Sequence, residues 1–168
     1  MSNTIRIAGI VPESYTDGSG IRYAVFVQGC CHKCPECHNP ETWDMKGGQE
    51  VEISAIVDEI CENPLLDGVT ISGGDPMYQC EAVVRLIKAI KEQNKDLNIW
   101  LYTGFTYEEC LADEKKLEVL KNIDVLVDGP YIAALRALHL RFRGSSNQRI
   151  IDVPKSLQSD KVWLLIAN

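Results

Sequence analysis

The stretch that decides the fold is Ile21-Arg22-Tyr23-Ala24-Val25-Phe26-Val27-Gln28-Gly29, which runs straight into Cys30-Cys31-His32-Lys33-Cys34-Pro35-Glu36-Cys37. Its first seven residues are rich in β-branched and aromatic side chains and read as a buried strand. Gly29 ends the strand, and four of the chain's seven cysteines follow within eight residues. In α/β folds, sites gather where loops leave the C-terminal ends of strands.

Working outward, Ile5 to Val11 reads as an opening strand, and Asp17-Gly18-Ser19-Gly20 as a turn whose glycines permit positive φ. Downstream, Ser54 predicts the N-cap of a helix over 55–62. Its apolar stripe is Ile53, Ile56, Val57 and Ile60, and Asn63-Pro64 ends it. Gly68 to Ser72 reads as a strand ending in Gly73-Gly74-Asp75-Pro76. A helix follows, carrying Val83, Leu86, Ile87 and Ile90 on one face. Then come a strand over 99–102, one or two helices over 107–120 and a strand over 123–127. A possible strand at Arg149 to Val153 and an apolar run at Lys161 to Ile166 complete the chain.

Strand and helix alternate, which predicts an α/β fold with a mostly parallel sheet of about five or six strands. No repeat, low-complexity tract or linker interrupts it, so a single domain over residues 1–168 is expected. A closed eight-fold barrel needs at least ~200 residues, so the expectation is a partial, open β/α barrel. Four candidate loops leave one sheet edge: 29–37, 73–76, Thr103-Gly104 and Asp128-Gly129.

Lys and Arg number 17 against 24 Asp and Glu, a net charge of −7, which argues against nucleic-acid and anionic-membrane partners. No run reaches the ~18 apolar residues of a membrane span. The N-terminus lacks a secretory signal. A reducing cytoplasm is therefore expected, where disulfides are rare. Cys61, Cys80 and Cys110, scattered singly, read as small buried hydrophobes on helices.

The cysteine loop admits three readings. Structural zinc takes four N or S ligands, usually from two separated pairs, whereas this loop offers one clear pair, Cys34 and Cys37, plus crowded candidates in Cys30, Cys31, His32 and His38. An electron-transfer iron–sulfur protein supplies four thiolates, and the fourth here would be Cys31, adjacent to Cys30, or a remote helical cysteine. Three thiolates on a four-iron cube leave one iron open, as a catalytic metal requires.

Here the residues carry a resemblance. Cys30-x3-Cys34-x2-Cys37, followed by a strand into Gly73-Gly74-Asp75, resembles the pattern of the radical S-adenosylmethionine (SAM) enzymes. More closely, the chain resembles the glycyl-radical activases that serve anaerobic ribonucleoside-triphosphate reductases. The shared pieces are Asp17 to Arg22, Cys30 to Asn39, Thr42-Trp43, Ser72 to Pro76, Thr103-Gly104-Phe105, Val125 to Gly129 and Arg143 to Gln148.

The resemblance implies a radical SAM fold and a 4Fe-4S cluster held by Cys30, Cys34 and Cys37, with SAM on the open iron. It implies an enzyme that cleaves SAM reductively and leaves a glycyl radical on the reductase. A reduced flavodoxin or similar donor would supply the electron. Gly73 and Gly74 would let backbone approach the methionyl group, and Asp75 would accept from its ammonium. Cys37, Ser72, Thr103 and Asp128 are further candidate contacts. Glu36 stands where many superfamily members have an aromatic residue, so contact there would be through backbone, with His38 as a substitute. Cys31 is expected to be no ligand. Arg143 to Gln148 would hold the partner's radical-bearing loop or cap the SAM pocket. The alternatives are an activase of another glycyl-radical enzyme, a radical SAM enzyme acting on a small molecule, and a non-catalytic metal or electron-transfer module.

Overall fold

The computed structural model describes residues 2–166; Met1, Ala167 and Asn168, which the expected domain span includes, lie outside the described residues. Seven strands form one sheet: β1 (Thr4–Ser14), β2 (Arg22–Val27), β3 (Gln49–Glu52), β4 (Gly68–Gly73), β5 (Asn98–Tyr102), β6 (Val125–Asp128) and β7 (Arg149–Asp152). Their spatial order is β3-β1-β2-β4-β5-β6-β7, so the sheet is open.

The expectation of a mostly parallel sheet is corrected. β2, β4, β5 and β6 run parallel, but β1 pairs antiparallel with both β2 and β3, and β7 pairs antiparallel with β6. For β1 and β2 the physical reason is connection length. A parallel crossover needs about a dozen residues and usually a helix, whereas β1 and β2 are joined by the short turn over 15–21.

The helices are α1 (Ile53–Glu62), α2 (Cys80–Gln93), α3 (Tyr107–Leu111), α4 (Glu114–Leu120) and α5 (Val153–Leu157). None is long and apolar enough to cross a membrane. The first begins before the expected Ser54 cap: Glu52 occupies the cap position without a side-chain hydrogen bond. The apolar stripe Ile53, Ile56, Val57 and Ile60 is buried as its spacing predicts. The segment over 107–120 divides in two because a second start signal falls within it. Thr106 and Glu109 form a capping box, and Asp113 then accepts from the Lys115 and Lys116 amides. Cys80 and Cys110 are buried as expected; Cys61 is exposed. The apolar run near the C-terminus adds no strand, only an isolated bridge between Leu164 and Ile151.

Because strand side chains alternate, each strand serves two faces. Val25, Val69, Ile71, Leu101 and Leu126 join the helices in one continuous core. The opposite face carries a smaller cluster of Trp100, Val125, Val127 and Ile150. At the lower end of that face Arg22 is fully buried. Its guanidinium donates to Thr70 Oγ1 at 2.7 Å and to the carbonyls of Ser19, Val69 and Asn98. It also lies 5.4 Å from the Trp100 ring centroid. Burial lowers its pKa to about 10. The site opens above this plug, at the C-terminal ends of the parallel strands.

Candidate functional site

The cysteine loop is pinned at its base. The Gly29 and Cys30 amides donate to the carbonyls of Thr42 and Trp43, while the Gln28 carboxamide donates to those of Glu41 and Asp44. Across the sheet, the Gly74 amide donates to Val27 O and the Asp75 amide to Gly29 O. The Gly-Gly-acid turn is thus bonded to the root of the cysteine loop.

That contact explains the two glycines. A Cβ on Gly73, whose φ is +97°, would lie 2.5 Å from Val27 N, and one on Gly74 would lie 2.5 Å from Gly29 O. Neither approach leaves room for a side chain. Both glycines are required by the protein's own backbone before any ligand enters.

Asp75 is 1% exposed and its carboxylate is fully engaged. It accepts from Thr103 Oγ1, the Gly104 amide and the Met77 amide, each at 2.9 Å. His32 Nε2 stands 2.6 Å from its Oδ2. The His32 ring also meets Phe105 edge-on at 4.6 Å, so the loop is latched to the ends of β4 and β5 through its own third residue. A Cβ on Gly104 would come within 2.7 Å of that ring. Lys33 and Glu36 adopt left-handed backbone, and the Cys37 amide closes a turn onto Cys34 O.

The latch fixes where the thiols open. Cys30, Cys34, Cys37 and His38 share one cavity of about 670 Å³ with Ser72, Gly73, Gly74 and Thr103. The sequence candidates brought together are therefore those eight. Cys31 is exposed and outside the cavity lining. Glu36 is exposed too, and Asp75 does not line the cavity. Asp128 is 1% exposed and committed elsewhere: it accepts from the Tyr107 amide and from the Arg149 amide and guanidinium.

Sequence reasoning missed the far walls. Phe26 and Tyr102 line the cavity along with Ser72, and Phe26 stands opposite Ser72 in the β2–β4 register. Alternation from the buried Val25 and Ile71 was the available signal. Tyr131, Arg141 and Phe142 close the other side, and His38 packs against Tyr131 at 4.9 Å. These residues sit in a long connection with no periodic pattern.

Arg143 to Gln148 is a clasp within that connection. The Gln148 carboxamide oxygen accepts from the Gly144 and Ser145 amides, and its nitrogen donates to Gly129 O. Asn147 Nδ2 donates to Pro130 O, Ser145 Oγ accepts from the Ile132 amide, and Arg143 donates to Gln148 O.

Burial raises the Cys30 thiol to about 11, with the Asp75 carboxylate and neighbouring thiols adding to the shift. Binding iron there must displace its proton. Among the described residues no three His, Cys, Asp or Glu side chains are grouped to hold one metal ion. A four-iron cube distributes its thiolates over separate irons instead. Three thiols opening onto one cavity fit that donor set.

Residues 16–151, which carry the three-thiol cavity at the strand ends, match a family model described as a 4Fe-4S single cluster domain, and that match gives the class as a single-cluster iron–sulfur protein. Three similar proteins bear one name, anaerobic ribonucleoside-triphosphate reductase-activating protein. That of Enterobacteria phage T4 is 35% identical, the match covering 92% of this chain and 95% of the relative. Those of Vibrio cholerae and Escherichia coli K12 are 39% and 36% identical, covering 83% and 82% of this chain and 92% of each relative. The chain belongs to the anaerobic ribonucleoside-triphosphate reductase-activating protein family.

Proposed function

We propose that this chain is a radical SAM activating enzyme that generates a glycyl radical on an anaerobic ribonucleoside-triphosphate reductase. It works in a reducing cytoplasm, with a reduced flavodoxin or similar protein as electron donor. The open seven-stranded sheet serves as a partial β/α barrel of the radical SAM type. The observation that carries the reading is that Cys30, Cys34 and Cys37 open onto the cavity lined by Ser72, Gly73 and Gly74, while Cys31 stands outside it.

In this reading Cys30, Cys34 and Cys37 hold a 4Fe-4S cluster. When bound, that cluster supplies the electron for reductive cleavage of SAM at an iron no protein residue occupies. The chain's own residues orient and enclose. The backbone at Gly73 and Gly74 faces the methionyl end of SAM, with Ser72, Thr103, His38 and the Cys37 region around the rest. Phe26 and Tyr102 supply apolar floor for the nucleoside, and with Phe142 they reduce water access. Asp75 reaches the SAM ammonium only by trading away a hydrogen bond to His32, Thr103 or Gly104; otherwise it acts by fixing the loop. Glu36 and Asp128 fall out of this reading of the cofactor contacts, because neither lines the cavity and Asp128 is committed to Arg149.

The test is anaerobic reconstitution with iron and sulfide, then incubation with SAM, a reductant and the reductase. The expected result is an EPR doublet on the reductase, absent for Cys30→Ala, Cys34→Ala and Cys37→Ala. A reconstituted protein that holds a cluster yet never cleaves SAM would overturn the reading.

A further inference from the structure

The connection between β6 and β7 differs in charge from the rest of the molecule. From Gly129 to Gln148 it contains no Asp or Glu, in a chain that carries 24 of them. It holds Arg136, Arg141 and Arg143, and Arg149 opens β7 directly after it. Two of these are accounted for: Arg149 pairs with Asp128 and Glu108, and Arg143 donates to Gln148 O.

Arg136 and Arg141 are both exposed and neither belongs to an ion pair among the described residues, although the Arg141 guanidinium lies 5.1 Å from the Phe142 ring centroid. Between them Leu138 is 92% exposed, and Leu135, just before, is 41% exposed. A lone exposed leucine is ordinary on a protein surface; here two exposed leucines stand beside two arginines that have no carboxylate partner. The strip is nevertheless built rather than loose. The clasp fixes its first end: the Ser146 amide donates to Leu135 O, and Arg136 bridges Ser145. Its far end, from Leu140 onward, forms one wall of the cavity. Whatever lies on the strip therefore lies across the cavity mouth.

Resting on the activase reading, we propose that residues 135–141 are a docking strip for an acidic segment of the reductase that flanks the reactive glycine and seats an apolar side chain against Leu138. The chain's net charge disfavours an acidic partner elsewhere, so the two guanidinium groups without a carboxylate both attract the segment and select its orientation. Leu138 adds apolar burial that charge alone lacks. A partner held here places its glycine loop over the cavity without contacts to the cysteines themselves.

The experiment uses Arg136→Glu and Leu138→Asp, neither of which lines the cavity. Affinity of the reconstituted protein for the purified reductase is measured across ionic strength, alongside reductant-driven SAM cleavage in the absence of reductase. The expected result is about tenfold weaker binding for each variant, a flatter salt dependence for Arg136→Glu, restoration by Arg136→Lys, and unchanged SAM cleavage. Unchanged reductase affinity in both variants overturns the strip. So does a change confined to self-association, which would make a second copy of this chain the occupant. Weakened binding together with a wild type that binds the reductase but never radicalises it would instead sink the activase reading and leave the strip standing.

Discussion

On the helix-covered face of the sheet, Val25, Ile71, Leu101 and Leu126 are fully buried; their immediate neighbours along the same strands are Phe26, Ser72, Tyr102 and Val127. One residue of translation separates a continuous core from a face that is closed over β5 to β7, plugged by Arg22 at its lower end and open only at the upper ends of β2 and β4. The difference teaches that stability and chemistry are assigned by parity rather than by region. Helices blanket the first face and sum a large apolar area. The second face is left without helices, and its small cluster ends where the cavity begins. A register slip of one residue would exchange the two sets.

Breaking the helix-covered face should cost most. Leu86→Ala removes a fully buried α2 side chain, and the expected loss is about 2–5 kcal/mol of unfolding free energy in denaturant titration of the cluster-free protein. The counterpart on the open face is Phe26→Ala. Its expected cost to the fold is smaller, about 1–2 kcal/mol, because the ring is only partly buried. SAM affinity of the reconstituted protein should fall about tenfold, or roughly 1.4 kcal/mol, by equilibrium dialysis. If Phe26→Ala costs as much stability as Leu86→Ala and leaves SAM binding intact, the division by parity is wrong.

Gly104→Ala sharpens the division further. Its Cβ meets the His32 ring, which must swing away from Asp75. The expected outcome is severalfold faster iron loss on desalting, with thermal stability of the cluster-free protein little changed. The smallest effect belongs to Cys31→Ala. Iron content and SAM cleavage should equal wild type, because this thiol is exposed and outside the cavity. Loss of the cluster in Cys31→Ala with retention in Cys34→Ala would reverse the ligand assignment.

The parallel centre of the sheet was legible because β-branched runs and 3.6-residue stripes alternate there. Its edges were not. Gln49-Glu50-Val51-Glu52 offers one apolar residue in four and forms β3 only because β1 presents it an edge. The antiparallel turn into β2 was legible in principle, since too few residues separate it from β1 for a crossover. At the site, the thiol spacing and the Gly-Gly-acid turn pointed to residues that line one cavity, but the pattern gave no sign of the partners its acids hold within the protein. Asp75 meets His32, 43 residues away, and Asp128 meets Arg149, 21 residues away. Local pattern shows that an acid stands at a strand end. Which donors surround it is decided by loops that only the folded chain brings together.

Arg22 and Trp100 have a consequence for traffic. Packed against each other at the lower end of the open face and buried to within 1%, both lie outside the cavity lining, so the cavity is reached from the strand ends rather than through the sheet's lower half. On the proposed activity, SAM and the reductase would approach from that same end, so reductase bound beforehand should slow SAM uptake in a stopped-flow binding measurement.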